Sequence, residues 1–299
     1  MVRLPNLVVV GAPKCGTTSL YHYLRQHPEV YLPTRKELHY FTRAELARDT
    51  AGPGDATVLQ HLCADRAAYE AEFASAGDQP IRGDISPSYF DFAEVAPAMR
   101  RELGEARIVV LLRDPIAKAF SQYMHLVRDG RESLPFFDAL QAEADRTARG
   151  WSMIWRYAGS SHYAGRLRHY LAAFGVERVR VYRFEDFIAD PQTTLADLWR
   201  WLGIDPSVRP DTSRTFNASS QPRSRVVASL ISKRSPLAAL ARAIVPAGVR
   251  GRITEAMRGL NAGAKGRVDE RSAAHLREVF REDVRETETL LGRPLGWLQ

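Results

Sequence analysis

Leu7-Val8-Val9-Val10-Gly11-Ala12-Pro13-Lys14-Cys15-Gly16-Thr17-Thr18-Ser19-Leu20 is the stretch on which the fold turns. Residues 7–10 are a continuous, mostly β-branched run, the pattern of a strand buried on both faces. A glycine-flanked loop follows. Leu20, Tyr23, Leu24 and His27 then recur on one helical face until Pro28 stops it. In a strand–loop–helix of this kind the first helical amides have no intrahelical partner and point into the loop. The helix dipole adds to the attraction for an anion there.

The alternation continues outward from this unit. Residues 80–85 read as a second strand, followed by Ser86-Pro87-Ser88-Tyr89, and 93–103 as a helix. Residues 107–112 are the strongest strand and end in Arg113-Asp114-Pro115, where Asp114 suits an N-cap and Pro115 a first helical position. Ile116, Phe120, Tyr123, Met124 and Val127 mark one face of a helix that stops at Gly130. A helix over 161–174, a strand over 179–182 and a helix over 193–202 follow. Leu276, Val279, Phe280, Val284, Leu290 and Leu291 carry a helical period near the C-terminus. Strands alternating with helices predict an α/β fold with a parallel sheet.

The chain has 299 residues, 45% hydrophobic and 26% charged, which suits a globular enzyme and excludes a wholly disordered chain. Cys15 and Cys63 are the only cysteines, too few for a disulfide scaffold, so a reducing, cytoplasmic setting is expected. The longest apolar runs are strand length, and the opening residues have no signal-peptide pattern. The net charge of +7 suits anionic ligands without choosing among them. Residues 212–254 contain no acidic residue, carry recurring arginines such as Arg214, Arg223 and Arg225, and are broken by Pro222, Pro236 and Pro246. This stretch admits three readings: a cover over the active site, amphipathic pieces resting on a membrane surface, or an Arg-rich surface helix pair. No nucleic-acid motif accompanies the charge.

A nucleoside-triphosphate loop reads G-x-x-x-x-G-K-[ST], with its lysine on the β- and γ-phosphates. Gly11 and Gly16 keep the glycine spacing, but Thr17 stands where that lysine belongs, and the only lysine is Lys14 inside the loop. The pattern fits an anion without a γ-phosphate and a reaction without a metal. The bland alternative is a tight βα turn, which leaves Lys14 and the hydroxyls of Thr17, Thr18 and Ser19 without a purpose.

Residues 9–20 resemble the 5′-phosphosulfate loop of sulfotransferases that use 3′-phosphoadenosine 5′-phosphosulfate (PAPS). Val109-Val110-Leu111-Leu112-Arg113-Asp114-Pro115, with Ser121 and Tyr123 behind it, is similar to their 3′-phosphate motif. Lys36-Glu37-Leu38-His39-Tyr40-Phe41 is similar to the segment carrying the catalytic Glu in heparan-sulfate-type and related bacterial members. Lys265-Gly266-Arg267 resembles their late nucleotide loop. The four blocks stand in family order across nearly the whole chain. The resemblance implies a P-loop NTPase-like three-layer fold, a central parallel sheet flanked by helices. It implies one domain over 1–299, with a basic insertion at about 206–262 on the acceptor or membrane side.

It also implies roles. Lys14 would stabilise charge on the leaving phosphate oxygen, and Cys15, Gly16, Thr17, Thr18 and Ser19 would frame the 5′-phosphate. Glu37 is the candidate base, against the alternative of a solvated surface residue. His39 is the rival base, an orienter of Glu37, or a packing residue. Lys36 would neutralise sulfuryl oxygens or lie solvated. Arg113 would grip the 3′-phosphate with Ser121, unless it pairs with Asp114. Lys265, Gly266 and Arg267 would close over the nucleotide. Tyr40, Phe41, Tyr89, Trp151 and Trp155 are candidates for the acceptor pocket, with core packing the alternative. The lysine that precedes the equivalent Thr-Pro in the heparan enzymes is Ile85 here, which weakens a heparan assignment.

The reaction implied is sulfuryl transfer from PAPS to a hydroxyl of a carbohydrate, glycolipid or small natural product, releasing adenosine 3′,5′-bisphosphate. The alternatives are a P-loop kinase or NTPase and a non-catalytic nucleotide- or membrane-binding module.

Overall fold

The described chain forms five strands, β1 (Leu7–Gly11), β2 (Val30–Tyr31), β3 (Ile81–Ile85), β4 (Arg107–Leu112) and β5 (Val179–Arg183). This is a computed structural model that describes residues 4–213 and 266–298. The strands form one sheet in the order β2-β3-β1-β4-β5, and every pairing is parallel. Residues 7–10 of β1, at its centre, are wholly buried, as are Ile108, Val109 and Val110 of β4. Complete burial requires cover on both faces, which is why these runs are continuous rather than alternating.

The cover is helical. Five helices precede or follow the first four strands: α1 (Thr17–Leu24), α2 (Arg43–Arg48), α3 (Arg66–Ala71), α4 (Val95–Leu103) and α5 (Pro115–Arg128). Six more complete the described residues: α6 (Phe136–Gln141), α7 (Glu143–Ala148), α8 (Ala164–Phe174), α9 (Phe184–Ala189), α10 (Pro191–Leu202) and α11 (Glu270–Leu291). The α/β class with a central parallel sheet flanked by helices is as the sequence predicts. Asp114 caps α5 by accepting from the Ala117 N–H at 2.8 Å, with Pro115 at the first helical position.

Several boundaries differ from the sequence reading. α1 closes at Leu24, and His27 leaves it to donate from Nε2 to the Asp205 carbonyl, 3.0 Å away, and to pack on Trp199. α8 starts at Ala164 rather than 161, because Gly159–Ser161 forms a 3-10 turn before it. The two-residue edge strand β2 has no signature in the sequence. The basic insertion expected at 206–262 enters the described residues only as far as 213, and Lys265 also lies outside them. No helix among the described residues is long and apolar enough to cross a membrane.

Candidate active site

The loop after β1 is built by two glycines. Gly11 approaches so closely that a Cβ there would lie 2.6 Å from Cβ of Phe90. Gly16 caps α1 in the left-handed region at φ 86°, and a Cβ on it would meet the Phe184 ring at 3.0 Å. No side chain caps α1, so its opening amides face the loop with no partner inside the helix. Gly16, Thr17, Thr18 and Ser19 all line a cavity of about 1070 Å³ at the C-terminal ends of the strands, the place where open parallel sheets take ligands.

Cys15 differs from its expected role. Its side chain is fully buried away from the cavity, its N–H donates to the Ala12 carbonyl at 3.3 Å, and burial pushes the thiol up to about 12. It packs the loop from behind.

Lys14 faces the cavity at φ 67°. Burial pulls its ammonium down to about 8; Arg128 and Arg113 push the same way, against Asp129 and Glu37. A cation crowded by two guanidiniums is a donor set that suits a bound anion.

Glu37 and His39 come from the connection between β2 and the 3-10 turn Tyr40–Thr42, and both hold left-handed backbones, φ 63° and 54°. The segment is tied to the sheet by the Glu37 N–H donating to the Ile85 carbonyl at 3.1 Å. Burial alone would raise the Glu37 carboxyl, but the adjoining Lys36 ammonium, which donates to Oε1, and then His39 and Lys14 hold it below the usual carboxylate range. His39 is 9% exposed and its Nε2 lies 3.8 Å from Glu37 Oε2. Burial lowers its imidazole, the Lys36, His61 and Arg35 charges assist, and Glu37 opposes them. Lys36, Glu37 and His39 all line the cavity.

Arg113, at the end of β4, donates to the Lys14 carbonyl at 3.3 Å and lies 4.7 Å from the Phe184 ring centre. Among the described residues it forms no ion pair, so the expected competition from Asp114 does not arise. Ser121 lies on the same wall, two turns along α5. Gly266 and Val268 line the cavity, whereas Arg267 is exposed and outside the lining.

The five aromatic candidates for the acceptor pocket do not line the cavity. Tyr40 stacks on Tyr69 at 4.3 Å, and Phe41 sits edge-on to Tyr69 and Tyr89. The Tyr89 hydroxyl donates to Asp84 Oδ2 at 2.8 Å and accepts from the Tyr40 N–H. Trp155 is 1% exposed with its N–H on Asp55, and Trp151 packs edge-on against it. All five pack the protein behind the cavity; their neighbours Ser152, Met153 and Ile154 reach it instead.

Sequence reasoning missed the C-terminal end of α5. His125 and Asp129 line the cavity and, with Arg128, reach toward Lys14. Burial drives the His125 imidazole down to about 3, with Lys14 and Arg128 assisting and Asp129 opposing. The neutral ring accepts from Arg128 at 2.6 Å through Nδ1 and faces Asp129 at 3.7 Å through Nε2. A charged run ending a helix reads as a solvated face, and only its approach to Lys14 reveals otherwise. Among the described residues, no group of three or more His, Cys, Asp or Glu side chains is placed to hold a metal ion.

Comparison with known proteins identifies the family. A sequence model described as the sulfotransferase family matches residues 5–207. The solved structure of a sulfotransferase from Alicyclobacillus acidocaldarius is 30% identical with a TM-score of 0.78, and 97% of each chain is covered. Mouse carbohydrate sulfotransferase 15 is 26% identical over 267 residues, covering 74% of this chain and 47% of that protein. The membrane-associated sulfotransferase kil1 of Dictyostelium discoideum is 31% identical over 123 residues, covering 41% of this chain and 23% of that protein. The chain thus spans less than half the length of these two curated relatives.

Proposed function

For a chain that belongs to the sulfotransferase family, we propose transfer of a sulfuryl group from PAPS to an acceptor hydroxyl at the cavity just described. One observation carries the reading. Lys14, in the loop after β1, and Glu37, in the connection after β2, line a single cavity, where each bears favourably on the charge of the other. A fixed cation beside an ionised carboxylate supplies the two things that in-line transfer needs, charge stabilisation at the departing oxygen and a proton acceptor.

The donor, when bound, brings an activated sulfuryl group on a phosphate leaving group. The α1 amides and the hydroxyls of Thr17, Thr18 and Ser19 hold its 5′-phosphate. Arg113 and Ser121 hold the 3′-phosphate, with Phe184 and Ile188 offering apolar surface beside them. Lys14 stabilises the developing charge. Glu37 takes the acceptor proton, and Lys36 keeps the carboxylate ionised. Gly266 contributes backbone to the cavity wall.

The acceptor is a carbohydrate-type or small-molecule hydroxyl. Two buried free thiols suit a reducing, cytoplasmic setting. The net +7 charge and the arginines of 212–254 suit an anionic membrane surface, at which a glycolipid acceptor would be met.

The test is transfer of labelled sulfate from PAPS to a panel of glycans, glycolipids and phenols. Lys14→Ala is expected to lower turnover more than tenfold, and Glu37→Gln by about 100-fold or more. Folded variants with near-normal turnover would remove these roles. A wild-type protein that neither transfers sulfate nor binds adenosine 3′,5′-bisphosphate would remove the function.

A further inference from the structure

His39 is held from behind by two hydroxyls rather than by a carboxylate. Its Nδ1 lies 2.8 Å from Ser88 Oγ, and Ser88 Oγ lies 2.9 Å from Thr42 Oγ1. Thr42 is fully buried and Ser88 is 6% exposed. The protons of this chain can be placed in two directions. If Nδ1–H donated to Ser88, the Ser88 proton would go to Thr42. The Thr42 proton would then have no acceptor among the described residues, a costly loss for a buried hydroxyl. In the neutral ring, bare Nε2 would also face the Glu37 carboxylate, lone pair against anion. In the other direction Thr42 donates to Ser88, Ser88 donates to Nδ1, and Nε2–H points at Glu37 Oε2, 3.8 Å away. Every proton then has a partner or faces opposite charge.

We propose that Ser88 and Thr42 are positioning residues whose paired hydroxyls hold His39 as the tautomer protonated on Nε2. In that state His39 presents a donor to Glu37, has no lone pair on the cavity side, and leaves the carboxylate as the proton acceptor. Burial keeps the ring neutral, with the Lys36, His61 and Arg35 charges assisting and Glu37 opposing, so the tautomer is a property of the resting protein. The inference rests on the reading of Glu37 as the base for its catalytic meaning, but the tautomer stands apart from it. A hydroxyl pair fixes a tautomer without adding negative charge behind the ring, which a carboxylate would do.

The test is a two-bond proton–nitrogen correlation spectrum of the full-length 15N-labelled protein without donor or acceptor, with His39 assigned by its loss in His39→Gln. The expected pattern is a bare-type Nδ1 and a protonated-type Nε2. Ser88→Ala should mix or reverse that pattern and lower kcat about tenfold, with KM for PAPS within about twofold. Ser88→Thr should restore both. Should Ser88→Ala fail to fold, Thr42→Val is expected to give the same mixed pattern. A wild-type ring protonated on Nδ1 would overturn the proposal, as would a folded Ser88→Ala protein with unchanged pattern and turnover. Because the spectrum needs no reaction, an inactive protein with the expected pattern would remove the proposed function and leave the tautomer assignment intact.

Discussion

Lys14, Glu37 and His39 are three of the four non-glycine residues with positive φ among those described, and all three face the cavity. Each such conformation costs about 1 kcal/mol or more, so the surrounding contacts must over-determine the site. Lys14 makes the most direct prediction. With its ammonium near 8 in the free protein, a fraction is neutral just above that pH. A bound phosphate favours the charged form and raises the value, so binding takes up a proton. Affinity for adenosine 3′,5′-bisphosphate is therefore expected to fall as pH rises from about 7 to about 9.5, by at most about tenfold per pH unit. Lys14→Met should bind more weakly and lose this dependence. Calorimetry across that range checks it, and an affinity that rises with pH would refute it. The loop pattern pointed to Lys14, and the resemblance to the sulfotransferase motifs pointed to Glu37, His39 and Arg113; all four line the cavity. Tyr40, Tyr89 and Trp155 were misplaced because an aromatic's periodicity is the same whether it faces a cavity or a core.

The strand–loop–helix unit was legible because β1 is buried on both faces, which leaves an uninterrupted apolar run, and because a helix face follows the glycines. The connection from 30 to 71 was not. It contains β2 of two residues and short helical turns, each below the length at which periodicity can be read. Gly16 tests the unit as a unit. It needs its positive φ and the space beside Phe184, the ring that also lies on Arg113. Gly16→Ala is expected to lower stability by about 1–3 kcal/mol and to weaken adenosine 3′,5′-bisphosphate binding, since a displaced Phe184 disturbs Arg113. Gly104, also at positive φ but with open space around its Cβ position, is the control. Gly104→Ala should lose stability through its backbone alone and keep its affinity. Urea midpoints and calorimetry on both variants separate the two effects, and equal losses of affinity would refute the packing argument.

At the scale of the molecule, the period of α11 was visible in the sequence, but its partner was not, because that contact spans more than a hundred residues. Asp283 on α11 accepts from the N–H groups of Tyr163 at 2.7 Å and Ala164 at 3.2 Å, the entrance of α8. Tyr163 in turn donates its hydroxyl to the Arg113 carbonyl at 2.8 Å. Beyond the helix, the Leu298 N–H reaches Asp114 Oδ2 at 3.4 Å, and the Leu295 carbonyl accepts from Arg183 at 2.8 Å. The C-terminal segment therefore braces the turn that presents Arg113, and a single cooperative domain is the expected consequence. Asp283→Ala removes a cap from α8 and should lower stability by about 1–2 kcal/mol. It should keep one unfolding transition and weaken binding of adenosine 3′,5′-bisphosphate, because Tyr163 loses its anchor. Asp283→Asn keeps an acceptor oxygen and should lie between the variant and the wild type. Circular dichroism and tryptophan fluorescence followed through the same urea titration should report one midpoint. Two separated transitions, or an Asp283→Ala protein of reduced stability but unchanged affinity, would show that the C-terminal helix is an independent piece with no hold on the phosphate grip.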